Sequence, residues 1–151
     1  MSTRERIEQD FIREMKARNA SAVSTLRMLR AALKNEDIAK MKPLDEQEVL
    51  AVVSREIKKL KDGLDSFVAG KREDLAEAAR GELAFLQAYL PAQLTDDELR
   101  AVVAAKIAES GATQPKDMGK VVGLVMKDAQ GKAEGGRVST LVKEALTPRT
   151  S

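Results

Sequence analysis

Cysteine and histidine are both missing from this chain of 151 residues. Without cysteine there is no disulfide framework, thiolate nucleophile or zinc–thiolate site. Without histidine the commonest general base and the commonest metal ligand are gone as well. Aromatic residues are scarce, with no Trp, one Tyr and three Phe, so platforms for stacking unpaired bases are not expected. No run approaches the ~18 apolar residues of a bilayer span, and the first residues lack the apolar core of a secretory signal. On those grounds the chain is expected to be cytoplasmic and to have no membrane partner. Its formal net charge is only +2, so any affinity for nucleic acid has to come from local clustering.

What is present is aliphatic and charged: 43% hydrophobic and 33% Asp, Glu, Lys and Arg, a composition that folds rather than stays disordered. Apolar residues recur at three and four along nearly the whole length, the helical period. A first helix is expected from about Thr3 to Lys16, with Ile7, Phe11 and Met15 stacked. Asn19-Ala20-Ser21 breaks it, Ser21 capping a second helix to about Lys40 that buries Ala22, Leu26, Leu29 and Leu33. Asp45 and Glu48 form a capping box for a third helix, with Val49, Val53, Ile57, Leu60, Leu64 and Phe67 inward and Ala69-Gly70 at its end. A fourth runs from about Glu73 to Leu90, with Leu75, Ala79, Leu83, Leu86 and Leu90 inward, and Pro91 stops it.

Leu90-Pro-Ala-Gln-Leu94 reads as a linker. Beyond it Thr95 and Glu98 make a second capping box, and Leu99, Val102, Val103 and Ile107 an amphipathic helix ended by Gly111. A further helix opens near Pro115, with Thr113 as cap, and closes at Gly131. A last one covers about Arg137 to Leu146, and a frayed tail is expected from Pro148. The expected fold is all-α: an N-terminal helical hairpin region over 1–94, then a compact three-helix domain over 95–151.

Two surfaces stand out. Around the helix after Pro115, the face opposite Met118, Val121, Val122, Val125 and Ala129 carries Lys116, Gly119, Lys120, Gly123 and Lys127. An interior helical glycine costs about 0.8–1 kcal/mol relative to alanine, and two one turn apart imply close approach of something to bare backbone. A phosphate backbone fits a smooth, lysine-flanked surface; a close helix–helix crossing inside the domain is the other explanation. The second surface is the Arg27, Arg30 and Lys34 stripe, within a segment from Lys16 to Lys34 that has five basic residues and no acidic one. That stripe reads either as a solvated helix face or as a positioning surface for nucleic acid.

Catalytic arrangements do not emerge. Asp96-Asp97-Glu98 points three ways around a first helical turn, where negative charge already complements the helix dipole. Ser54 with Lys58 and Ser139 with Lys143 have the spacing of Ser–Lys dyads, without an oxyanion hole nearby. The glycine-rich 131–136 segment lacks the strand-then-helix context of a nucleotide fingerprint and reads as a helix-joining turn. No catalytic residue, metal site or cofactor is expected, and no turnover by the chain alone.

Several stretches resemble a known family. Lys-Asp-Met-Gly-Lys-Val-Val-Gly at 116–123, followed by Gly131-Lys-Ala-Glu-Gly, is similar to a motif of the YqeY-like proteins and of the tail domain of the B subunit of tRNA-dependent amidotransferases. The resemblance extends to Ser24-Thr-Leu-Arg-Met-Leu-Arg-Ala-Ala-Leu-Lys-Asn35, Gly70-Lys-Arg-Glu-Asp-Leu75 and Leu86-Gln-Ala-Tyr-Leu-Pro-Ala-Gln-Leu94, in order. Glu134 stands where the family usually has Asp, and Gly136 where a basic residue is common, with Arg137 next to it. The resemblance implies an all-α tRNA- or structured-RNA-binding module that assists an amidotransferase or other RNA-modifying protein, without the catalytic domains of that enzyme. Lys132 and Arg137 then join Lys116, Gly119, Lys120, Gly123 and Lys127 as RNA contacts, with Arg27, Arg30 and Lys34 secondary. The alternative is a protein-interaction adaptor whose glycine-lined face receives a partner helix.

Overall fold

Local capping chemistry sets most of the helix starts in the computed structural model of this chain, which describes residues 1–129 and 131–147. The described residues are all-α, without a strand. Four helices come first: α1 (Thr3–Lys16), α2 (Ala20–Lys40), α3 (Glu46–Ala69) and α4 (Glu73–Gln87). Then follow α5 (Asp96–Ser110), a single 3-10 turn (Pro115–Asp117), α6 (Met118–Ala129) and α7 (Gly135–Leu146). The chain forms two compact units, Met1–Leu90 and Pro91–Ser151. The tail expected from Pro148 lies outside the described residues.

In the first unit both halves of the Asp45/Glu48 capping box form, at 2.8 and 3.1 Å. Asn19, not Ser21, caps α2: its side-chain oxygen accepts from the Ala22 amide. The N-terminus of α1 is finished by a distant residue, since the Glu46 carboxylate on α3 accepts from the Thr3 amide at 3.1 and 3.2 Å and from its hydroxyl. Ile7, Leu26, Leu29, Leu33, Val49, Val53, Ile57, Leu83 and Leu86 make the core, with Tyr89 at its margin. Burying one such leucine contributes about 1.5–3 kcal/mol. Two inward assignments fail. Met15 is 48% exposed and Leu75 36% exposed, and Ala76 is buried beside Leu75 instead. The fourth helix also ends at Gln87, short of Leu90.

Polar ties between helices complete this unit. Arg4 binds Asp37 through two hydrogen bonds of 2.8 and 2.6 Å, and Asp37 also accepts from the Leu44 amide. The guanidinium of Arg4 holds the Asp37 carboxyl below its ordinary range. Tyr89 donates its hydroxyl to Asp10 at 2.5 Å, with Arg6 stacked over its ring. Burial, then the bond to Asp10, pushes the Tyr89 phenol up from its ordinary pKa.

The second unit packs Leu99, Val103, Val121, Val125, Val138, Val142 and Leu146 around one centre. Thr95 and Glu98 form their capping box. The entry to α6 departs from expectation: Thr113 does not cap it. Asp117 instead accepts from the Thr113 and Gln114 amides, holding the 3-10 turn from which α6 emerges. Pro115, lacking an amide hydrogen, suits the first position of that turn.

Candidate functional site

The faces of α6 separate as the helical period requires. Val121, Val125 and Ala129 are buried, and Met118 and Val122 are partly buried against the same core. Gly119, Lys120, Gly123 and Lys127 are exposed on the other side, with Lys116 exposed in the preceding 3-10 turn. A Cβ placed on Gly119 or on Gly123 would meet nothing within 4 Å. Neither glycine therefore admits a neighbouring helix of this unit, and the internal-crossing explanation of the pair falls. Gly63 and Gly81 are similarly open, but each is a single glycine on its helix, and Lys59, one turn before Gly63, is paired with Glu56. Among the described residues, Lys116, Lys120, Lys127 and Lys132 form no ion pair.

The turn after α6 places Lys132 on the surface in a braced loop. Gly131 takes the left-handed conformation, φ 83°, which costs glycine little. The Lys132 carbonyl accepts from the Leu94 amide at 2.8 Å, and the Gly131 carbonyl from the Gln93 side chain at 2.8 Å. Gln93 is thus a positioning residue for this turn. Sequence reasoning passed over it, because a lone glutamine in a linker carries no pattern. Glu134 occupies the N-cap position of α7 without a side-chain cap bond. Aspartate is a favoured N-cap because its short side chain reaches the first-turn amides; one methylene more separates the Glu134 carboxylate from its backbone.

Two expected contacts are engaged elsewhere. Arg137 donates to Asp96 at 2.9 and 3.1 Å and to the Leu94 carbonyl at 2.7 Å, so its guanidinium clamps α7 to the start of α5. It does not replace the missing basic residue at Gly136. Arg30 binds Glu8 at 3.0 and 3.1 Å and lies over the Phe11 ring, its Cζ 4.2 Å from the centroid. The segment free of acids in sequence is therefore partly neutralised from α1. Arg27 and Lys34 are exposed on α2, in the first unit, whereas the lysine face of α6 belongs to the second. The Asp96-Asp97-Glu98 carboxylates are also engaged, with Arg137, Arg100 and the Thr95 amide respectively. Among the described residues no group of acidic side chains is arranged to hold a metal ion.

A family model described as "Yqey-like protein" matches residues 4–146. Among curated proteins the chain is similar to "Altered inheritance of mitochondria protein 41, mitochondrial" of Pyrenophora tritici-repentis, 27% identical over 143 residues, or 93% of this chain and 79% of that protein. The protein of the same name in Eremothecium gossypii is 30% identical over 87 residues, 57% of this chain and 48% of its own length. That of Saccharomyces cerevisiae is 30% identical over 94 residues, 62% and 51%. The match thus spans about half the length of these two. Their names overturn the expectation of a cytoplasmic protein, because the relatives are mitochondrial. The absences on which that expectation rested cannot separate the two compartments, since organelle-targeting segments are amphipathic and arginine-rich rather than apolar. No described helix is long and apolar enough to cross a membrane.

Proposed function

The chain belongs to the YqeY-like family, which is related to the tail domain of the amidotransferase B subunit, and from that premise we propose that it binds structured RNA, tRNA first among candidates. The contact is the Lys116–Gly119–Lys120–Gly123–Lys127 face of α6, with Lys132 beside it. One observation carries this reading: two open glycines one turn apart lie among lysines that no described carboxylate neutralises. Bare backbone lets a phosphate strand approach the helix, and lysine ammonium groups neutralise it as mobile point charges. Recognition is then of backbone shape, because the chain has few aromatics to hold unstacked bases. The module carries no chemistry of its own and presents RNA to an amidating or other RNA-modifying partner. Arg30 and Arg137 drop out of the contact set as members of internal ion pairs, and Arg27 and Lys34 are left out as residues of the other unit.

Binding of transcribed tRNA as a function of salt tests the proposal. Lys120→Ala should weaken binding modestly for many RNA sequences and lower the log–log salt slope by roughly 0.7–0.9. Gly123→Leu should weaken it more, through steric exclusion, in a protein that remains folded because the added side chain enters open space. Gly123→Ala is the control, more stable by about 1 kcal/mol through helix propensity. Tight binding by Gly123→Leu, or none by the parent at low salt, would sink the reading. Salt-insensitive capture of a partner helix would favour the adaptor alternative.

A further inference from the structure

The α1–α2 turn is built in an unusual way. Ala17 ends α1, the Arg18 amide donates to the Met15 carbonyl, and the Asn19 amide to the Glu14 carbonyl, each at 3.1 Å. This is the paired-bond motif that closes many helices, and its second residue is left-handed and usually glycine. Here that residue is Arg18, φ 57°. An arginine there is strained where glycine is not. The Asn19 cap of α2 then follows directly, so the Arg18 backbone is held from both sides.

Beside this turn lies an open depression of about 370 Å³, lined by Met15, Arg18, Ala20, Val23, Ser24 and Arg27. Its apolar part is Met15, Ala20 and Val23; its charge is entirely positive. Neither arginine forms an ion pair among the described residues, whereas Arg30, one turn along α2 from Arg27, has Glu8. No aromatic ring lines the depression, so a nucleic-acid base would find nothing to stack on, and a phosphate strand would leave Met15 and Val23 unused.

We propose that this depression docks an acidic, aliphatic peptide segment of a partner protein, with Arg18 and Arg27 facing its carboxylates and Met15 and Val23 receiving its apolar side chain. The surface belongs to the first unit, and the α6 face to the second. It supplies a route by which an RNA-binding chain is attached to another protein, and it stands whether or not α6 binds RNA.

The test uses the full chain and a fluorescein-labelled peptide of alternating Glu-Leu-Leu-Glu-Asp-Leu blocks, with a control carrying Lys at each acidic position. Anisotropy gives the affinity and amide chemical shifts the location. The acidic peptide is expected to bind at low salt, shifting amides over 15–27, while the control does not bind. Arg18→Gly and Arg27→Ala should each weaken binding by up to about fivefold, and Met15→Gln by several-fold. Arg18→Gly keeps the turn, because glycine favours its left-handed backbone, so a loss there is not unfolding. The proposal is overturned if the peptide fails to bind at millimolar concentration, if the lysine control binds as well, or if the double arginine variant binds unchanged. It is also overturned if Met15→Gln has no effect, or if tRNA displaces the peptide and the arginine variants lose tRNA as much as peptide. That last result would make the surface a phosphate site.

Discussion

The two units close their helices in different ways. In the first, α1, α2 and α3 each end on a left-handed residue that is not glycine: Arg18, Met41 and Lys71, with φ of 57°, 56° and 58°. Each is followed by the same pair of bonds, as Met41 to Ile38 with Lys42 to Asp37, and Lys71 to Val68 with Arg72 to Phe67. Among the described residues of the second unit the left-handed positions are Gly111 and Gly131, φ 71° and 83°. A side chain in that conformation costs on the order of 1 kcal/mol. The first unit accepts the cost at three turns and presents a side chain at each. The second spares it at its turns, yet gives up helix propensity at Gly119 and Gly123, where a bare surface results.

Charge is distributed just as differently. In the first unit arginines bridge helices, through Arg4 to Asp37 and Arg30 to Glu8. In the second, Arg137 does this for α5 and α7, while the lysines of α6 are left to solvent. Bridged arginines rigidify; unpaired lysines remain available for an incoming anion.

Core substitutions should give the largest effects and report on each unit by itself. Leu29→Ala empties a fully buried site of the first core and should cost about 2–5 kcal/mol, read as faster amide exchange at Leu26 and Leu33. Tyr89→Phe comes next. It removes the hydroxyl bond to Asp10 but keeps the ring under Arg6, so a loss of about 1–2 kcal/mol in urea unfolding is expected; an unchanged midpoint would show the bond to be dispensable.

Turn substitutions sharpen the comparison more directly and with opposite signs. Met41→Gly and Lys71→Gly should stabilise by up to about 1 kcal/mol, because glycine relieves the left-handed strain. Gly111→Ala should destabilise by a similar amount, about 1 kcal/mol, although its Cβ would meet no atom within 4 Å. Equal signs for the two classes, measured by thermal unfolding, would show that the difference between the units is not one of strain.

The smallest expected effect is a pH dependence confined to the first unit. Glu48 accepts from Lys40 and from the Asp45 amide, which lower its pKa from 4.5 to about 2. A carboxyl depressed on folding contributes stability above its unfolded pKa and loses it as pH falls through the folded value. Stability should therefore decline between pH 4.5 and about 2, and Glu48→Gln should flatten that decline. An identical pH profile for the variant would remove Glu48 from the acid response.

Which features were legible in the sequence follows from how far apart the interacting residues lie. The Asp45/Glu48 and Thr95/Glu98 boxes, the buried and exposed faces of α6, and the all-α fold depend on residues three or four apart, so periodicity and capping chemistry determine them without knowledge of the rest of the chain. Even locally, the assignment slips where two neighbours compete: Ser21 is the expected cap of α2, but Asn19 caps it. Gly70 ends α3 as expected, with φ −83°, and the left-handed position falls to Lys71. Tertiary structure alone decided the fate of the charges. Arg30 finds Glu8 across 22 residues, Arg137 finds Asp96 across 41, and Tyr89 finds Asp10 across 79. A charged chain offers each arginine many carboxylates of equal chemistry, and only the folded path selects one. The same path leaves Gly119 and Gly123 open, a fact about what does not pack against them, which periodicity has no means to state.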